Sequence, residues 1–211
     1  MAKELSIKRG AVMEVLGSFF IVLTSTLVDY DPHISPPTYF QEGAMNIFFI
    51  TMLFSWAAYS FSGAQLNPAF SIAALVAGEI GVSQMIVNLI SQAVGSIFGF
   101  FALSYFTKFS KAYMNYKEMT IGSIISLEFL LTFVGTLIFC MTVLSQTASR
   151  GVFGFAVPAY YAVITLALGK LYYTRNNFFW FIFMELFQLS INMKCLYVGL
   201  FSLVGGVVGG L

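Results

Sequence analysis

Two glutamates, Glu14 and Glu128, lie within long apolar runs, and an asparagine–proline pair, Asn67-Pro68, lies within a third, shorter one. A carboxylate inside an apolar span is costly and usually functional; its chemistry would be a proton relay or, near an end, a snorkelling contact with lipid headgroups. Asn67 is a good helix cap and Pro68 suits the first helical position, so the pair marks a helix start inside an apolar segment. The plainer reading of that pair is a capped surface helix after a turn. Other chemistry is missing. No nucleophile–base pair or metal-ligand cluster can be assembled, His33 stands alone in a loop, and Cys140 and Cys195 read as two buried thiols. The expectation is a protein that is not an enzyme and needs no metal or cofactor.

The elements that carry these residues follow from composition. The 211 residues are 59% hydrophobic and only 9% charged, with a mean hydropathy of +0.87, whereas a soluble domain carries about 25% charged residues. Ten basic residues face nine acidic ones, so no basic stripe exists for nucleic acid. The apolar runs are continuous rather than alternating, which excludes a transmembrane barrel. A helical span needs about 20 residues, so the chain reads as a polytopic all-α membrane protein. Spans fall at about 11–29, 44–61, 82–106, 121–144, 151–173 and 195–211. A short apolar piece follows the second span, at 62–78, and another follows the fifth, where Phe178 to Met184 is too short to cross a bilayer. Residues 1–10 form a short polar lead with no cleavable targeting pattern.

Three spans and a short piece, then three spans and a short piece, make an internal repeat at about 11–106 and 121–211. An odd number of spans per repeat forces the copies into opposite orientations. Glu14-Val-Leu-Gly-Ser-Phe-Phe opens the first copy and Glu128-Phe-Leu-Leu-Thr-Phe-Val the second, at an offset of 114 (128 − 14). Gly95, Gly99, Gly205, Gly206, Gly209 and Gly210 recur at four-residue spacing and suit close helix packing.

Ser62-Gly63-Ala64-Gln65-Leu66-Asn67-Pro68-Ala69 resembles the signature SGAHLNPA of the aquaporin and glycerol-facilitator family, the major intrinsic proteins, with Gln65 where histidine is usual. Glu14 with Leu16-Gly17-Ser18-Phe19, Gln92 with Gly95 and Gly99, and Glu128 extend the likeness through the first half and the fourth span. The resemblance implies six transmembrane helices plus two half-helices in an inverted three-plus-three repeat. It implies that Pro68 lets a half-helix begin inside the membrane and that small Ala69 lets two half-helix ends meet. The helix-end amides and dipole would then place partial positive charge at a pore centre, with Asn67 as donor to a passing water. It further implies that Glu14, Glu128 and Gln92 scaffold the pore loops.

The second signature, Asn-Pro-Ala-Arg, is absent. The best placement sets Asn176-Asn177-Phe178-Phe179 against it and tolerates a slip of a residue or two. Counting by the family's spacings from Asn67 and Asn176 gives a selectivity filter of Ile47, Ile164, Tyr173 and Phe179, in place of a ring that contains arginine. Three of these are apolar, so the ring should dewet or close. The alternative is that Arg175 turns inward to replace the arginine.

Two functions compete. One is a divergent channel for water or a small uncharged solute, with a narrowed or closed pore. The other is a non-conducting structural subunit of a larger membrane complex. The family implies a homotetramer embedded in lipid. With the amino terminus inside, inner segments hold four basic residues (Lys3, Lys8, Arg9, Arg150) and outer ones six (Lys108, Lys111, Lys117, Lys170, Arg175, Lys194). The usual inward bias of positive charge is missing, which leaves an organellar membrane open.

Overall fold

A computed structural model describes residues 2–27, 36–106, 120–144, 153–168, 177, 179, 182, 183 and 193–211. Every regular element among them is helical: α1 (Ala2–Leu27), α2 (Pro36–Ser62), α3 (Pro68–Val76), α4 (Val82–Phe106), α5 (Ile121–Phe139, continued by a π-helical turn, Cys140–Leu144), α6 (Phe153–Leu168) and α7 (Met193–Gly210). Gln41–Ser62, Val82–Phe106 and Ile121–Leu144 are long and apolar enough to cross a membrane, and Gly154–Leu168 and Tyr197–Gly210 are shorter apolar helices.

The helices at 82–106 and 121–144 have the limits the sequence predicts. α1 begins at Ala2 rather than near residue 11, because the polar lead contains no breaker before Gly10 and continues the helix. α2 begins at Pro36 rather than near residue 44, a proline being well placed in a first turn. Many large apolar side chains face outward, among them Leu53, Ile90, Phe98, Leu130, Val163 and Phe201. The buried side of the helices carries an unusual share of polar groups, including Glu14, Asn67, Asn88, Gln92 and Glu128. This inside-out distribution suits a bundle whose solvent is lipid.

α1 packs on α4, α5 on α7, and α2 on both α1 and α6, while α3 lies against α4 and α7. The first two pairs meet through the same device. A Cβ added to Gly95 would stand 2.2 Å from the Val15 carbonyl oxygen, 3.0 Å from the Phe19 nitrogen and 3.0 Å from Ser18 Cβ. One added to Gly205 would meet the Phe129 carbonyl oxygen at 2.9 Å, the Phe133 nitrogen at 3.1 Å and Thr132 Cβ at 2.9 Å. Gly99 lies likewise against Phe19 and Val22, and Gly209 against Phe133 and Thr136. The partners differ by 114 (129 − 15, 132 − 18, 133 − 19) and the glycines by 110 (205 − 95, 209 − 99).

Gly95→Ala is therefore expected to force α1 and α4 apart, because the obstacle is main chain rather than a movable side-chain tip. Overpacking of this kind costs about 1–3 kcal/mol. Gly122 has nothing within 4 Å of its added Cβ, and Gly122→Ala should gain about 0.5–1 kcal/mol from the lower entropy of alanine in a helix. Thermal unfolding in detergent, with both variants compared against the parent, checks the sign of each change.

Candidate functional site

The site is built around the turn that joins α2 to α3. Gly63 (φ 83°), Ala64 (φ 54°) and Leu66 (φ 51°) all adopt left-handed backbone, which is unfavourable for the two that carry a Cβ. The turn holds this shape because its amides have a buried acceptor. Glu14, fully buried on α1, accepts from Ser62 Oγ (2.5 Å), the Gln65 amide (3.2 Å), the Leu66 amide (2.8 Å) and Gln92 Nε2 (2.7 Å). Ser62 Oγ in turn accepts from the Ala64 amide, and Gln92 Nε2 also donates to Ser71 Oγ in α3. One carboxylate thus ties α1, α2, α4 and the turn together. Gly17, one helical turn further along α1, leaves the space that Leu66 fills.

Gln65 continues the polar line towards one end of α4: Asn88 Nδ2 donates to its Oε1 (2.6 Å), and Gln84 Nε2 donates to Asn88 Oδ1 (2.8 Å). Glu128 stands on α5, fully buried, 114 residues after Glu14.

Asn67 caps α3 with extended backbone (φ −149°, ψ 131°), its Oδ1 accepting from the Ala69 amide at 3.0 Å and Pro68 opening the helix. The other end of its carboxamide is engaged: Nδ2 donates to the Tyr161 hydroxyl at 2.8 Å. Asn177 makes the corresponding local bond, with Oδ1 accepting from the Phe179 amide at 3.0 Å, and its Nδ2 donates to the Leu66 carbonyl at 3.4 Å. Phe179, Ile182 and Phe183 are helical, and the rings of Phe179 and Phe183 stack at 5.8 Å. Asn176, Phe178, Tyr173, Arg175 and His33 lie outside the described residues.

Ile47 and Ile164 belong to one buried cluster with Phe70, Phe139, Val157, Tyr160 and Tyr161. Phe70 stacks on Phe139 (4.8 Å, 11°) and lies 6.2 Å from Tyr161. Beside the cluster is a cavity of about 20 Å³ lined by Ile47, Thr51, Ser55, Gln65, Tyr161 and Asn177 among others. A water needs about 10–15 Å³ measured this way, so the cavity has room for one. Thr51, Ser55 and Tyr161 are absent from the residues singled out in the sequence. The signal that finds them is the offset of 110: Ile47, Thr51 and Ser55 on α2 correspond to Val157, Tyr161 and Thr165 on α6 (157 − 47, 161 − 51, 165 − 55). All six are buried.

No curated protein matches the chain. The sequence pattern of the family described as MIP, Major intrinsic protein, matches residues 1–177. With the aquaporin-like arrangement of long apolar helices around a capped half-helix, this places the chain in the major intrinsic protein family, as an integral membrane protein of the channel type.

Proposed function

We propose that this channel-family protein is closed to water in the described conformation, and that its lumen has become part of the buried core. The observation that carries this reading is the cavity of about 20 Å³ lined by Thr51, Gln65, Tyr161 and Asn177, where a conducting pore needs an unbroken path. Supporting it, Ile47 lies in an apolar cluster instead of offering donors to a permeant. We further infer that the second half-helix counts from Asn177 rather than Asn176. Asn177 repeats the capping bond of Asn67, and 177 − 67 equals the offset of 110 that relates the glycines of α4 and α7. In that register the family's spacings move three filter positions, from Ile164, Tyr173 and Phe179 to Thr165, Thr174 and Trp180. Ile47 stays in place. The two repeats on this reading are the predicted 11–106 and 121–211.

Purified protein in liposomes, followed by stopped-flow light scattering after an osmotic step, tests the closed state. Permeability at the level of empty liposomes is expected. Water flow like that of an ordinary open pore, with a low activation energy, overturns it. A second use of the fold is as a structural subunit of a larger complex, and one observation favours it: the Glu14 network is intact while the cavity near it has room for a single water. Native size after mild detergent extraction separates the two uses, since a free homotetramer would be far smaller than a multi-subunit assembly.

A further inference from the structure

We propose that Tyr161 is the plug of the lumen: its phenol occupies the midpoint of the path and takes one of the two amide protons with which Asn67 would meet a permeant. The inference rests on the closed-lumen reading and names the side chain responsible.

The geometry supplies the first argument. Asn67 has two functional ends. Oδ1 accepts from the Ala69 amide, as a helix cap does, and Nδ2 is the donor end of the side chain. That group donates to Tyr161 Oη at 2.8 Å, and Asn67 is 1% exposed. A solute passing Asn67 must break this bond and displace a ring. The ring lies near Phe70, itself stacked on Phe139, and near Tyr160, whose centroid is 5.7 Å away. The Tyr160 hydroxyl is in turn tied to the Leu131 carbonyl on α5.

The second argument comes from the repeat. Subtracting 110 from Tyr161 gives Thr51, so the two residues are counterparts on α2 and α6, and both line the same cavity. Thr51 is small, 3% exposed, and its Oγ1 has no hydrogen-bond partner among the described residues. A buried hydroxyl without a partner is expensive unless something polar passes or sits beside it. Thr51, Ser55 and Gln65 therefore line a polar track on the α2 side, whereas the α6 side presents a bulky phenol at the corresponding height. The protein carries within itself the residue that an unplugged version of position 161 would have.

The test is Tyr161→Thr, which makes the two halves alike at this height, in the full chain reconstituted into liposomes. Water permeability is expected to rise about ten-fold or more over the parent, the change that removal of a barrier of roughly 1.4 kcal/mol produces. Tyr161→Phe keeps the ring and loses only the hydroxyl, and should stay closed. Tyr161→Val is the second opening variant should Tyr161→Thr not purify as a single species. If the parent itself conducts, the closed-lumen reading and the plug fall together. A closed parent with a folded, closed Tyr161→Thr overturns the plug alone. An open Tyr161→Phe also overturns it, because the ring would then not be the obstacle. Loss of fold in both Tyr161→Thr and Tyr161→Val has the same force: a side chain that only fills a lumen is dispensable to the fold, and one that is not belongs to the core.

Discussion

Glu14→Ala is expected to remove about 3–6 kcal/mol of stability, enough to unfold the protein in most detergents. The reason is the number of donors that share one carboxylate. Ser62 Oγ has another acceptor within reach, the Ala58 carbonyl at 3.4 Å, so its loss is small. The amides of Gln65 and Leu66 and one N–H of Gln92 have no such alternative among the described residues. An unsatisfied buried donor costs about 1–3 kcal/mol. Some of this is returned, because Ala64 and Leu66 are held in left-handed backbone and a released turn can relax. Glu14→Gln keeps one acceptor oxygen but turns an NH₂ towards groups of which only the Ser62 hydroxyl can accept, and should lose about half as much. Thermal unfolding of the two variants against the parent measures both. If Glu14→Ala unfolds at the parent temperature, the turn is held by its own packing and Glu14 is no anchor.

The acceptor role of Glu14 illustrates what the sequence can and cannot convey. A carboxylate in an apolar run announces that something is paired with it, but the partners are main-chain amides 51 and 52 residues away, and main chain leaves no mark in sequence. The long helices were legible because hydrophobic runs end at polar connectors, as at Phe106 and Thr120. Helix starts were less so, because a polar lead such as 2–9 goes on forming helix after its hydrophobicity has ended. The first half-helix was legible from Asn67-Pro68, two residues with strong positional preferences. The second, on the proposed register, lacks proline and a small residue, and its one mark is the bond from the Phe179 amide to the Asn177 side chain. Tyr161 was hidden for another reason. In a run such as Val157 to Leu168 an aromatic is ordinary core, and its standing changes only when the other half is laid against it and Thr51 appears opposite.

Restoring the missing signature should therefore succeed in one register and fail in the other. In a Tyr161→Thr background, Phe178→Pro, Phe179→Ala and Trp180→Arg together rebuild Asn-Pro-Ala-Arg from Asn177. This keeps the Asn177 carboxamide, and the residue at 179 retains the amide it donates to Asn177 Oδ1, as Ala69 does for Asn67. Proline at 178 then sits where Pro68 sits, in a position that asks for no amide donor. The variant should fold, and its water permeability should exceed that of Tyr161→Thr by about ten-fold, since small residue and arginine replace two aromatic rings. The competing set, Asn177→Pro, Phe178→Ala and Phe179→Arg, rebuilds the same string from Asn176. It deletes the carboxamide that caps the Phe179 amide and reaches the Leu66 carbonyl. Loss of a helix cap costs about 1–2 kcal/mol, so this variant should unfold earlier than the Tyr161→Thr protein and gain no permeability over it. Stopped-flow permeability and thermal unfolding are read on the same two preparations. Flow and stability in the Asn176 set, with neither in the Asn177 set, would restore the Asn176 register and return Ile164, Tyr173 and Phe179 to the filter. A gain over Tyr161→Thr in neither set, with both proteins folded, would mean that the second half-helix no longer limits the path in either register.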